Sequence, residues 1–216
     1  ISKLPPGHSL TSENGQANLN QYWDLHLERS ERSAPKDFQT CEGELIEILS
    51  DCVRKEMISD VPVGVLLSGG IDSSTIAALM TEIAPGNVKS FSIAFDDPSF
   101  DESRYARMVA RHLGTDHSEL ILTPKIMLDL IPDLANFMDE PLGDSSFVPT
   151  YLLSQFTRQY VKVALGGDGG DELFAGYSTL QSHRLVQYYE RLLPGFMRWK
   201  VIPAIVNRLP VSFNNI

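Results

Sequence analysis

From residue 63 to residue 165 the spacing of apolar positions switches repeatedly between two periods, and that switching predicts strands separated by helices. Val63-Gly64-Val65-Leu66-Leu67 is a short unbroken apolar run, the mark of a strand buried on both faces. Residues 73–83 read as a helix closed by Pro85-Gly86, and residues 88–95 as a second strand. Residues 103–113 give a helix with Tyr105, Val109 and Leu113 on one face and Gly114 as its C-terminal cap. Residues 118–122 predict a third strand, 126–138 and 147–160 two helices, and 161–165 a further strand. Upstream, Leu45, Ile48, Leu49, Cys52 and Val53 recur at helical spacing, and Asp60 and Pro62 end that helix. After Gly176 the pattern is helical only, through Arg208. The fold class expected is therefore α/β, a parallel sheet flanked by helices and followed by a helical carboxy-terminal segment.

The first forty residues differ. Pro5-Pro6-Gly7-His8 and the polar run 11–16 suggest turns and an extended segment, and the charged stretch 28–36 with Pro35 suits an exposed linker. So short a region makes no independent domain, so it reads as a docking arm or as the tail of a domain cut off upstream.

Bulk properties narrow the function. The chain has 216 residues and a formal net charge of -10, without a Lys/Arg cluster, which disfavours a nucleic-acid partner. Cys41 and Cys52 are too few for a disulfide framework or zinc site, and their place on one helical pattern predicts reduced, packed thiols. The first residues carry no signal-peptide pattern, and no apolar stretch is long enough to span a bilayer. The expectation is a soluble cytoplasmic protein.

Two segments carry chemistry. In Leu67-Ser68-Gly69-Gly70-Ile71-Asp72-Ser73-Ser74, a glycine pair joins the end of a buried strand to a helix. The glycines let backbone approach an anion, the serines of the loop can donate hydrogen bonds, and the helix start offers unpaired N–H groups and a positive dipole end. Asp72 fits beside phosphate if a divalent cation lies between them. A serine-rich turn with an Asp in a helix's first turn is the plainer reading, but the strand, loop, serines and carboxylate together point to phosphate binding. The second segment, Leu165-Gly166-Gly167-Asp168-Gly169-Gly170-Asp171-Glu172-Leu173-Phe174-Ala175-Gly176-Tyr177, places acids among glycines directly after another strand, at the same edge of the sheet. Asp72 and Asp171 are therefore expected to hold one magnesium ion against the phosphates.

Residues 68–73 resemble the pyrophosphate-binding loop of the PP-loop ATP pyrophosphatases, and the loop is neither a Walker A motif nor a GxGxxG fingerprint. The acidic segment is similar to the GxGSDELFGGY region of the glutamine-hydrolysing asparagine synthetases within that superfamily. Asp60-Val61-Pro62-Val63-Gly64, Phe91-Ser92-Ile93-Ala94-Phe95, Asp139-Glu140-Pro141, Asp144-Ser145-Ser146 and Pro149-Thr150-Tyr151 match the same family, and Pro5-Pro6-Gly7-His8 with Tyr22-Trp23-Asp24 resembles the exit from its glutaminase domain.

The resemblance implies a ligase that activates the side-chain carboxylate of aspartate with ATP and amidates it with ammonia from glutamine. It implies ATP and Mg2+ as cofactors, small-molecule substrates, no nucleic-acid or membrane partner, a glutaminase domain on the same chain, and an assembly compatible with a homodimer. It divides the chain into 1–36, the tail of that glutaminase domain with its linker, and 37–216, a synthetase domain truncated at its C-terminus. It assigns Leu67, Ser68, Gly69, Gly70, Ile71, Asp72, Ser73, Ile93 and Gly167 to ATP and pyrophosphate, Asp72 and Asp171 to magnesium, and Asp168 to proton handling. Asp168 stands where family members commonly have Glu, one methylene longer, and Gly166 and Gly170 stand where they often have Ser. A related amidotransferase or a β-lactam-synthetase-like cyclase is the alternative, and a nucleotide-binding domain without catalysis is disfavoured by three intact acids. The lysine that the family uses further along has no match, Lys125, Lys162 and Lys200 reading as surface residues, so the chain alone is expected to bind nucleotide weakly and turn over poorly. His117 reads as a solvated strand-edge residue, and Trp23 and Trp199 as packing residues.

Overall fold

A computed structural model describes residues 2–25, 37–97, 99, 101–134, 136–138 and 143–206. The linker reading at 28–36, the motif Asp139, Glu140 and Pro141, and the end of the chain lie outside these residues. The chain forms two compact units, residues 1–46 and 47–216.

In the first unit, β1 (His8–Glu13) and β2 (Gln16–Gln21) form an antiparallel hairpin with His8 opposite Gln21 and Glu13 opposite Gln16. The two-residue connection is Asn14-Gly15, with φ of 51° and 77°. Both values are positive, as a type I′ turn requires, and that turn matches the twist of the strands. The polar run 11–16, read as part of a region of turns and an extended segment, holds the end of β1, the turn and the first residue of β2.

Helix α1 (Phe38–Glu56) crosses the division between the units. The second unit is built on a four-stranded sheet of β3 (Val63–Leu66), β4 (Lys89–Phe95), β5 (Asp116–Leu122) and β6 (Val163–Leu165), in the order β5-β4-β3-β6. Every pairing in it is parallel. The connections carry α2 (Ile71–Ile83), α3 (Ser103–Leu113), α4 (Pro124–Leu134) and α5 (Phe147–Thr157). Downstream lie the short α6 (Gly170–Phe174), α7 (Ser178–Leu192), a π-helical turn at Met197–Val201 and α8 (Ile202–Val206). The expected parallel sheet flanked by helices is present.

Two layers of apolar side chains hold the sheet. On one face Val65 and Leu67 pack with Val53, Ala77, Met80, Ala106 and Ala110. Gly114 closes α3 in the left-handed conformation at φ 69°, as its sequence position predicts. The buried stripe of α3 runs through Ser103, Ala106 and Ala110, whereas Tyr105 is exposed. Small side chains on that stripe let the helix backbone come close to the loop after β3. On the other face Phe91, fully buried, meets Phe156 of α5 edge to face and Tyr160 at a tilt, at ring-centroid distances of 6.2 and 5.5 Å. A Cβ on Gly64 would meet Phe91 Cε2 at 2.7 Å, so only glycine there lets β3 accept that ring.

Some expected boundaries shift. Helix α4 begins at Pro124, where a missing N–H costs nothing, and ends at Leu134 instead of reaching Met138. Cys41 and Cys52 are free thiols, as expected, but both are exposed instead of packed.

Candidate functional site

Strands β3 and β6 are neighbours and parallel, with Val65 opposite Leu165, so the chain leaves both at the same edge of the sheet. That edge, at the carboxyl ends of parallel strands, is where such sheets bind ligands.

The loop after β3 is braced by its own serines. Ser73 Oγ, nearly buried, accepts from the Ser68 N–H at 3.2 Å, donates to the Gly70 carbonyl at 3.3 Å, and lies 2.9 Å from Ser68 Oγ. Ser68 Oγ in turn accepts from the Gly70 N–H at 3.2 Å. Helix α2 then starts with Gly70 as an N-cap that has no side-chain hydrogen bond. Its first N–H groups lack intrahelical acceptors and its dipole end is uncovered, an arrangement suited to an anion. Replacing Ser73 by alanine is expected to lower the unfolding free energy by about 1–3 kcal/mol, because two donors of Ser68 lose their acceptor. Denaturant titration would test this, and an unchanged midpoint would rule the brace out.

The loop after β6 closes on this helix start. A Cβ on Gly167 would lie 2.7 Å from the Ser73 nitrogen and 2.9 Å from Asp72 Cβ, and one on Gly170 would lie 2.6 to 3.0 Å from the Asp72 carboxylate. These two glycines are therefore what lets the Asp72 side chain sit between the loops. Gly169 turns the chain at φ 91° and caps α6. The Asp171 carboxylate lies against Gly176 instead, at the other end of α6. Next to it the Tyr177 hydroxyl donates to Glu172, which holds the Glu172 carboxyl below its usual range.

Both loops line one cavity of about 400 Å³. Of the residues singled out in the sequence, Leu67, Ser68, Gly70, Asp72, Ser73, Ile93, Gly167 and Asp168 line it. Gly69 and Ile71 face a second hollow between α2 and α3, and Asp171 lines neither. The wall also includes Ser92, Phe95, Glu102, Thr150 and Leu153, to which the sequence reading gave no role. Ser92, Phe95 and Thr150 lie inside the quoted family motifs, a signal that could have found them. Among the described residues no three carboxylate, imidazole or thiol groups converge as a metal cluster.

His117 stands on β5, an edge strand of the sheet, but it is not solvated as expected. It is half-buried on β5, and its two ring nitrogens lie 2.8 Å from Ser90 Oγ and 3.2 Å from Ser92 Oγ on β4. Burial moves its pKa below the usual histidine range.

No described helix is long and apolar enough to cross a membrane. Residues 44–212 match the family model described as asparagine synthase. Asparagine synthetase [glutamine-hydrolyzing] 1 of Bacillus subtilis is 32% identical over 211 residues, covering 95% of this chain and 32% of that protein. Asparagine synthetase B [glutamine-hydrolyzing] of Escherichia coli K12 is 34% identical over 191 residues, 82% of this chain and 34% of its own length. Amidase chyE of Penicillium rubens is 31% identical over 205 residues, 86% of this chain and 30% of the relative. The chain thus spans about a third of the length of these relatives.

Proposed function

The chain belongs to the asparagine synthase family, and from that premise we propose that it is the ATP-binding, carboxylate-activating part of an amide ligase acting on the side chain of aspartate. The observation that carries this reading is the seating of Asp72 between the loop after β3 and the glycines of the loop after β6, in the wall of one cavity.

A carboxylate is a poor acyl donor because oxide is a poor leaving group. In the proposed reaction an oxygen of the aspartate side chain attacks the α-phosphorus of ATP, the bond to the bridging oxygen breaks, and pyrophosphate leaves. The product is an acyl-adenylate. Ammonia then attacks the acyl carbon and AMP leaves with its oxygen, giving asparagine and releasing one proton. The uncapped start of α2 stabilises the negative charge on the departing pyrophosphate. The brace of Ser68 and Ser73 keeps the loop in shape for it. Leu67 and Ile93 offer apolar contact to the adenosine. Asp168, in the cavity wall, takes the proton that ammonia loses.

The donor chemistry fits magnesium. Asp72 offers hard oxygens at the cavity, and Asp171 follows the glycine against which Asp72 rests. Asp72 would hold the ion, whose charge would offset that of the phosphates, whereas the Asp171 carboxylate lies against Gly176 and does not line the cavity. The glutaminase domain of the family would deliver the ammonia.

The test is AMP and pyrophosphate formation by the natural protein with Mg-ATP, with aspartate and a nitrogen source present or omitted. Aspartate-dependent cleavage accompanied by asparagine is the expected result. Cleavage that requires another carboxylate would keep the ATP site and remove aspartate. That second reading has its own support, since the Penicillium relative is named an amidase.

A further inference from the structure

We propose that His117 is a positioning residue for the cavity, tying Ser92 to β5 and so fixing the stretch of β4 that forms the nucleotide wall. The inference rests on reading that cavity as the ATP site.

The hydrogen bonds form a line across the sheet. Thr115 Oγ1 lies 2.7 Å from Ser90 Oγ, Ser90 Oγ lies 2.8 Å from His117 Nδ1, and His117 Nε2 lies 3.2 Å from Ser92 Oγ. Ser90 and Ser92 are buried, at 0% and 3% exposure, so a lost partner there is not replaced by bulk water. Burial lowers its pKa and so favours the neutral ring. A neutral ring has one N–H and one lone pair, so it gives one serine a donor and the other an acceptor.

Its position ties it to the cavity. Ser92, Ile93 and Phe95 line the wall, and beyond the backbone pairing with β5 two side-chain hydrogen bonds hold this stretch of β4. One is Ser92, through His117. The other is the Phe95 N–H, which donates to Asp101 Oδ1 at 3.3 Å. Ile93 lies between these anchors, and Asp101 is fixed in turn by Ser103, whose hydroxyl donates to it at 2.9 Å. The charged groups facing the ring are Glu119 on its own strand and Arg107 of α3, paired with each other at 3.2 Å. A residue that merely filled space would not have both ring nitrogens engaged on the strand that carries the wall.

The test separates the two ends of the ring. The amide of His117→Asn takes the place of Nδ1 and keeps Ser90, whereas the longer His117→Gln reaches the place of Nε2 and keeps Ser92. In the natural protein, His117→Asn is expected to raise the Kd for ATP about tenfold, while His117→Gln stays within about twofold. Ser92→Ala is expected to match His117→Asn, and the pair Ser92→Ala with His117→Asn to be no worse than either alone. Thermal midpoints measured alongside would report the structural part, which both His117 variants share. Equal weakening by the two His117 variants, or additive losses with Ser92→Ala, would overturn the proposal while leaving the site reading intact. If the variants fail to fold, Ser92→Ala decides alone, and an unchanged Kd overturns the proposal. Absence of ATP binding by the unmodified protein would remove the site reading, and this inference with it.

Discussion

Asparagine in place of Asp72 is expected to lower ATP cleavage by the natural protein about 100- to 1,000-fold while leaving the fold intact, the loss typical of removing one group aimed at developing charge. The substitution is nearly isosteric, so the side chain still fits against the backbone of Gly170. What changes is charge: the amide keeps one oxygen but no longer attracts a cation to the helix start, where the phosphates are proposed to sit. Pyrophosphate release and circular dichroism, measured on the same samples, would separate the two effects. A variant that stays fully active would remove Asp72 from the mechanism. One that unfolds would make it a structural residue instead.

The largest effect on stability is expected at Gly69. Its φ of +84° is left-handed, and a Cβ there would stand 2.5 Å from the Ala106 nitrogen and the Tyr105 carbonyl carbon, both in the α3 backbone. Neither atom can move without shifting the helix. Gly69→Ala therefore combines a left-handed penalty of about 1–2 kcal/mol with overpacking of about 1–3 kcal/mol. A sum of about 2–5 kcal/mol is a large part of the whole stability of an ordinary domain. Gly86→Ala provides the control. Its φ is +75°, yet nothing lies within 4 Å of the added carbon, so only the backbone penalty applies. Unfolding by urea would compare them, and equal losses in the two variants would show that contact with α3 contributes nothing.

Legibility in the sequence followed the range of the interaction involved. Strands β3 to β5 and helices α2 and α3 are written in local periodicity, and their sequence-read spans lie within about two residues of those observed. The loop after β3 was legible for the same reason, since glycines and serines between a strand and a helix are a local signal. The hairpin was missed although its signal was equally local: Asn14-Gly15 is the dipeptide that a type I′ turn favours, but the flanking residues are too polar to look like strands. Features that depend on particular side-chain contacts, near or far along the chain, were not legible. Which way Asp171 turns depends on Gly176, five residues on, at the end of a helix of one and a half turns. The role of His117 depends on two serines more than twenty positions upstream, facing it only because β4 and β5 pair in register. A lone histidine beside an aspartate says nothing of that.

The pairing of β3 with β6 also sets when the site can exist. Val63 faces Val163, a hundred positions later, and bringing such distant segments together costs on the order of 4 kcal/mol of chain entropy. Strand β6 has three residues with which to offset it, whereas β4 and β5 join the sheet across much shorter spans. The order of assembly that follows is β3 with β4 and β5 first, and β6 last. During synthesis the loop after β3 is thus translated well before the glycines that seat Asp72 leave the ribosome. A ligand that touches both loops acts on the final step of folding, and its binding energy goes into holding β6 in place.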